Sequence, residues 1–191
     1  MKGIDFSAGR IKGSVIKAAG YDFVCRYLSH SSWKNITKEE LNDFKANNLK
    51  VVLVWETTET RIDSGTDGGY RDAEDAVAQM KSLGLMTSQP IYFAVDEEIG
   101  STQYLKLNSY LRGVANRLTQ RYTGVYGGLS TIKYAFDQGL VHYGWQTLAW
   151  SHHQWDARAQ LRQTTNGTPK LAGVICDLNE SVKDDFGQIS Y

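Results

Sequence analysis

The feature that most constrains this chain is a repeated pairing: a short apolar run of strand-like composition followed by a stretch with helical periodicity. Such runs occupy 2–6, 23–28, 50–56, 90–96, 123–127, 145–150, 160–164 and 174–178, which makes eight. Apolar runs of this length, separated by helix-patterned segments, are the signature of successive βα units and a parallel sheet. The helices are clearest early. Thr37 and Glu40 form a capping-box pattern ahead of Leu41 and Phe44, and that helix ends near Asn48. Ala73, Ala76, Val77, Met80 and Leu83 mark a second, with Gly84 where a left-handed cap is wanted. Tyr104, Leu107, Leu111, Val114 and Leu118 stripe a third from about Ser101, and Ser130 to Gly139 reads as a fourth. After Trp150 the helical pattern fades.

Eight such units predict a closed (β/α)8 TIM-like barrel, compact because its late helices are short or missing, and one domain over 1–191. A doubly wound open sheet is the competing topology, and it carries a Gly-rich nucleotide loop after its first strand. Here that position reads Asp5-Phe6-Ser7-Ala8-Gly9-Arg10, and no phosphate-binding G-x-x-x-x-G-K-[ST] motif occurs.

Composition narrows the function. Lys and Arg number 21 and Asp and Glu 21, so no broad basic field exists to hold a nucleic acid or an anionic membrane. No apolar stretch approaches the roughly 20 residues of a membrane-spanning helix. Cys25 and Cys176 each sit in an apolar run and read as small buried thiols, with no close Cys or His spacing for a metal. The histidines, His30, His142, His152 and His153, offer no zinc pattern, and Gly127-Gly128-Leu129-Ser130 is not a nucleophile elbow.

The chemistry lies in where carboxylates fall, since an acid at the C-terminal end of a barrel strand faces the end where such barrels hold their active sites. Asp5, Glu56, Asp96 to Glu98 and Asp177 each follow an apolar run, and all are expected to converge on one pocket. On an extended segment Asp96 and Glu98 share a face while Glu97 points away. Paired carboxylates raise one another's pKa, as a general acid requires. Aromatic faces suited to sugar rings are available nearby in Trp55, Tyr126, Trp150 and Trp155. Arg26 is the basic residue expected at the acidic mouth, paired with Asp5 or Asp177.

At these residues the sequence resembles the glycoside-hydrolase-like barrel domains of unknown function found in actinobacterial secreted proteins and phage lysins. The resembling stretches run nearly end to end: Gly3 to Ser7, Phe23 to Tyr27 with Arg26, Gly68 to Ala73, Pro90 to Asp96, Gly124 to Gly127, and Gly173 to Asn179. The same landmarks are similar to those of glycoside hydrolase family 25 lysozymes, which open on a Gly-Ile-Asp strand and carry an Asp-x-Glu strand end. That resemblance implies Glu98 as general acid, with Glu97 as the fallback because the segment reads Asp96-Glu97-Glu98. It implies Asp96 as the neighbour that positions substrate or water, and Asp5 and Asp177 as acids at the pocket floor. Glu56 would be an acid of this group's own.

The implied activity is muramidase-like cleavage of a glycosidic bond in peptidoglycan, as the catalytic domain of a phage endolysin, without metal or organic cofactor. Catalysis falls to Glu98, Asp96, Asp5 and Glu56, and substrate binding to Asp177, Arg26, Tyr126, Trp150, Trp155 and Glu97. The expected partner is the glycan strand of the wall, met by a monomer, with no nucleic acid and no membrane insertion. The N-terminus, Met1-Lys2-Gly3-Ile4-Asp5, shows no secretory signal, so the expected location is the host cytoplasm and then the wall on release. The alternatives are a glycan-binding module on the same barrel that has lost turnover, and a structural domain whose acids merely solvate loops.

Overall fold

Period-two alternation sorts the apolar strand residues into two layers, and the computed structural model, which describes residues 1–165 and 169–191, shows both. Seven strands run parallel: β1 (Lys2–Asp5), β2 (Phe23–Leu28), β3 (Lys50–Trp55), β4 (Ile91–Ala94), β5 (Thr123–Gly127), β6 (Tyr143–Thr147) and β7 (Leu161–Thr165). Five α-helices accompany them: α1 (Gly13–Ala18), α2 (Lys38–Ala46), α3 (Gly65–Ser82), α4 (Tyr104–Leu118) and α5 (Leu129–Asp137). Two short strands, β8 (Lys170–Leu171) and β9 (Val174–Ile175), form a separate antiparallel pair. The last strand, β10 (Asp177–Ser181), closes the barrel between β7 and β1.

That closure corrects the all-parallel expectation. β10 is antiparallel to both neighbours, and it begins at Asp177 where the sequence pattern placed a strand over 174–178. The reason is the connection: eleven residues separate Thr165 from Asp177, and a parallel return needs a crossover of a dozen or more, usually helical. β6 likewise starts at Tyr143 and ends at Thr147, before the 145–150 run is finished, because the chain turns at Leu148 to Ser151. The capping box on α2 is present as expected, with Thr37 and Glu40 satisfying each other's backbone N–H. Among the described residues no helix is long and apolar enough to cross a membrane.

The outward residues of the strands, among them Ile4, Val24, Val51, Leu53, Ile91, Phe93 and Val125, pack under the helices. The inward ones, Phe23, Cys25, Val52, Val54, Tyr92, Ala94, Tyr143, Trp145 and Leu161, fill the lumen. Inward glycines make room for the rings: a Cβ on Gly3 would lie 2.3 Å from the Phe23 ring, and one on Gly124 would lie 2.7 Å from that of Tyr92. Phe186, from the segment after β10, stoppers the lower end. Its ring meets Phe23 at 5.0 Å, and its carbonyl accepts the Tyr92 hydroxyl at 2.8 Å. The open end is therefore the one where β1 to β7 finish.

Helices α3 and α4 meet backbone to backbone. A Cβ on Gly69 would stand 2.0 Å from the Tyr110 carbonyl oxygen, and one on Gly113 2.0 Å from that of Thr66. Beside this contact Asp72, wholly buried, takes both arms of Arg61 at 2.7 and 2.6 Å and the Tyr110 hydroxyl at 2.7 Å. Arg61 follows the β3–α3 loop, so the interaction ties that loop to the helix pair. Replacing Gly113 with Ala forces the helices apart and is expected to cost about 1–3 kcal/mol, read as a lower denaturation midpoint in urea with unchanged slope. Asp72→Ala strands the Arg61 guanidinium and is expected to cost about 3–5 kcal/mol in the same measurement.

Candidate active site

The upper ends of the strands set out the site. β1 finishes at Asp5, and Glu56 stands one residue past β3 and Asp96 two past β4. Asp177 opens β10, yet because that strand runs the other way its first residue pairs with Asp5, the last of β1. All four acids thus reach the same mouth.

Three joined cavities cross it. A throat of about 120 Å³ is lined by Tyr27, Val54, Glu56, Asp96, Tyr126, Trp145, Gln163 and Asp177. On one side, past Tyr27 and Asp177, it opens into a cleft of about 710 Å³ walled by Asp5, Phe6 to Gly9 and Gly173 to Ile175. On the other, past Glu56 and Asp96, it opens into one of about 470 Å³ walled by Thr57 to Thr60. The result is a groove with an apolar arm and a polar, acidic arm, and the carboxylates at its middle.

Asp5 sits beside the throat, in the wall of the larger cleft, in a network anchored by one group with no choice. The Trp145 indole N–H can only donate, and it donates to Asn179 Oδ1 at 2.8 Å, which turns the Asn179 amide nitrogen onto Asp5 at 2.7 Å. Tyr126 and Thr147 hydroxyls donate to Gln163 Oε1 at 2.9 and 2.7 Å, which turns the Gln163 amide nitrogen toward Asp5 at 3.0 Å and Asp177 at 3.3 Å. Tyr27, its phenol held protonated by burial, donates to the other Asp5 oxygen at 3.1 Å. Burial nonetheless outweighs these donors. With the Asp177 charge beside it, Asp5 is pushed up from the ordinary carboxylate value to about 7.

Asp96 is half-buried where the throat meets the acidic arm. Burial first, then the charges of Glu56 and Glu59, raise its pKa to about 6, against the lowering influence of Lys34. Glu56 is paired with that lysine, Nζ to Oε1 at 2.5 Å. A carboxyl group that keeps its proton up to about pH 6 stands here beside a carboxylate held in an ion pair, the division needed for acid-assisted bond cleavage.

All but one of the remaining predicted residues lie apart from this centre. Glu98 is 55% exposed on the rim, 2.9 Å from His152 Nε2, and lines none of the three cavities. Glu97 accepts from the amide of Gln103, the last residue of the 101–103 turn, at 3.1 Å. Tyr126 is in the throat. Trp150 packs over Gly128 and takes the Leu129 N–H on its carbonyl, and Trp155 stacks with the Arg162 guanidinium at 5.1 Å. Trp55 faces outward against His30.

Arg26 requires a correction: it pairs with neither Asp5 nor Asp177. Cys25 and Tyr27 face the lumen, so Arg26 between them faces out, where it is fully buried over the Phe6 ring, donates to the Phe6 carbonyl and meets Glu40 at 3.3 Å. Sequence reasoning missed Lys34, Tyr27, Gln163, Asn179, Trp145 and Thr147. For the strand residues the signal existed: each is in step with a lumen-facing neighbour. Lys34 is a loop residue with none. Among the described residues no group of three or more His, Cys, Asp and Glu is disposed to hold a metal ion.

Comparison with known proteins follows the same outline. The profile of the Rv2525c-like, glycoside hydrolase-like domain matches residues 14–181. Rv2525c of Mycobacterium tuberculosis, named as a proposed peptidoglycan hydrolase, is 30% identical over 97% of this chain and 82% of its own length. Its crystal structure with L-tartrate superposes with a TM-score of 0.92, at 31% identity over 98% of both chains. A family 25 glycosyl hydrolase from Bacillus anthracis, 13% identical, shares the fold with a TM-score of 0.62 over 98% of this chain and 93% of that one. A lysozyme from Streptomyces coelicolor, 14% identical, does so with 0.65 over 96% and 92%. The mycobacterial protein is Tat-secreted, which overturns the expectation of a cytoplasmic protein awaiting release.

A stability test follows from Asp5. Its folded pKa is raised, so its contribution is fully present below about pH 4, is lost as pH rises, and is gone above its folded value of about 7. Over that window the loss is expected to amount to about 3–5 kcal/mol. In Asp5→Asn the slope of unfolding free energy between pH 5 and 7 should flatten, whatever absolute stability its altered hydrogen bonds leave. An equal slope in both proteins, followed by urea unfolding at each pH, would assign the titration elsewhere.

Proposed function

The chain belongs to the family of Rv2525c-like, glycoside hydrolase-like domains, and from that premise we propose that it hydrolyses a glycosidic bond in the glycan strands of peptidoglycan. The observation that carries the reading is Asp96. It stands at the junction of two arms of one groove, its pKa raised to about 6, beside the ion-paired carboxylate of Glu56. The setting we infer is an exported wall hydrolase rather than a phage lysin, since the mycobacterial relative is Tat-secreted. A single barrel over 1–191, acting as a monomer, supplies the whole site.

In this reading the glycan lies along the groove with sugar ring faces against Phe6, Val174 and Ile175 and hydroxyls toward the threonines of the other arm. Asp96 gives its proton to the bridging oxygen as the bond to the anomeric carbon breaks. The positive charge that develops on the sugar is stabilised by Glu56 and Asp177, which face the same throat. Water supplies hydroxide to the anomeric carbon, its proton goes to a carboxylate of the site, and a new reducing end leaves. Glu98, on the rim, takes a secondary part in binding.

Digestion of purified peptidoglycan by the wild type, Asp96→Asn and Glu98→Gln, with reducing ends counted and fragments weighed by mass spectrometry, tests the assignment. Asp96→Asn is expected to lose about 10²–10⁴-fold in rate, and Glu98→Gln to stay within a few-fold. Wild-type activity should decline as pH rises through about 6, where Asp96 gives up its proton. The reverse order of the two variants would move the acid to Glu98. Binding to walls with no reducing ends would favour the glycan-binding module.

A further inference from the structure

Lys34 is an unusual resident of a carboxylate-lined mouth. Its side chain is 8% exposed, its ammonium is 2.5 Å from Glu56 Oε1, and it lies over the Tyr27 ring at 5.4 Å. A buried ammonium is costly unless paired, so this geometry exists because something holds it. The holder is visible. Asn35, the next residue, donates to the Ser29 carbonyl at 2.8 Å and to Gln79 of α3 at 3.3 Å, and its own side-chain oxygen accepts from the Ser29 hydroxyl at 2.9 Å. The Asn35 carbonyl accepts from Arg10 at 3.0 Å, and the Ile36 N–H returns to the Tyr27 carbonyl at 2.9 Å. The loop that carries Lys34 is therefore clamped to β2, to α3 and to the segment after β1.

We propose that Lys34 is a positioning residue of this site, holding Glu56 at the groove and offsetting its charge so that Asp96 and Glu56 divide into proton carrier and carboxylate. The groups that act on Asp96 come from every side. Glu56 and Glu59 of the β3–α3 loop and Asp177 of β10 are negative, and Lys34 of the β2–α2 loop is the positive charge among them. The Tyr126 phenol stands in the same throat, held protonated by burial. Without Lys34 the negative field at Asp96 is unopposed and Glu56 has lost its anchor. Asp96 then keeps its proton to higher pH, and the carboxylate opposite no longer has a fixed place. The catalytic meaning of this rests on the glycosidase reading above; the electrostatic arrangement does not.

The test uses the whole protein as wild type, Lys34→Met, Lys34→Gln and Lys34→Arg. Asp96 is followed by carboxyl ¹³C NMR against pH, and reducing-end release from peptidoglycan is measured over the same range. The two neutral variants keep the test alive if one of them fails to fold. In the neutral variants the Asp96 midpoint is expected to rise by roughly half a unit to one unit, and the high-pH limb of the rate to move with it while the maximal rate falls about tenfold or more. Lys34→Arg should return the midpoint toward wild type. An Asp96 midpoint unmoved in a folded neutral variant overturns the proposal, even if activity drops. A wild type that releases no reducing ends, with the Asp96 midpoint still shifted by Lys34→Met, overturns the glycosidase reading and upholds the role of Lys34.

Discussion

The antiparallel pairing of β10 with β1 is the constraint on which the rest depends. It closes the barrel with a strand that arrives from the mouth instead of the base, and so brings its first residue, Asp177, level with Asp5. The same strand carries Asn179 two residues on, again facing the lumen, where it links Trp145 to Asp5. A parallel eighth strand would have put residues 177 to 179 at the opposite end from the other acids. Strand direction, fixed by a connection too short for a crossover, thus decides the composition of the site.

Once the acids are gathered, competition between solvation and hydrogen bonding grades them. Asp5, the most deeply buried of them, receives three donors and is still raised, because the loss of water costs the charged form more than those donors return. Asp96 is less buried and is raised less, by burial first and then by the charges of Glu56 and Glu59. Glu56 is held by the lysine. The mouth therefore contains carboxyl groups in different surroundings within one groove, a consequence of depth and partner and not of residue type. Beneath it, a rigid base is supplied by Phe186 and the inward rings, with glycines placed where those rings need room.

Much of the barrel was legible in the chain because periodicity is a local property. The apolar runs marking β1 to β5 fall on strands within two residues, and the capping box over Thr37 and Glu40 is realised atom for atom. The short run at 174–178 misled because it straddles two elements, the β9 pair and the first residues of β10. The acids at strand ends were legible for the same reason, since strand termini are where such runs stop. Arg26 was misjudged although period-two alternation from Tyr27 already turned it outward, toward Glu40.

By itself the sequence determined an eight-stranded barrel with weak late helices, a set of carboxylates at one end of it, and an even balance of acidic and basic residues. Local spacing carries that information, because strand alternation and helix capping act over a few residues. The tertiary structure alone decided the direction of β10, the inward set of Tyr27, Gln163 and Asn179 as a single network, the exposure of Glu98 on the rim, and the placing of Lys34 on Glu56. Each of these depends on which distant segments share a volume and how much water is excluded there, and burial is a property of the assembled barrel that no stretch of the chain possesses before it closes.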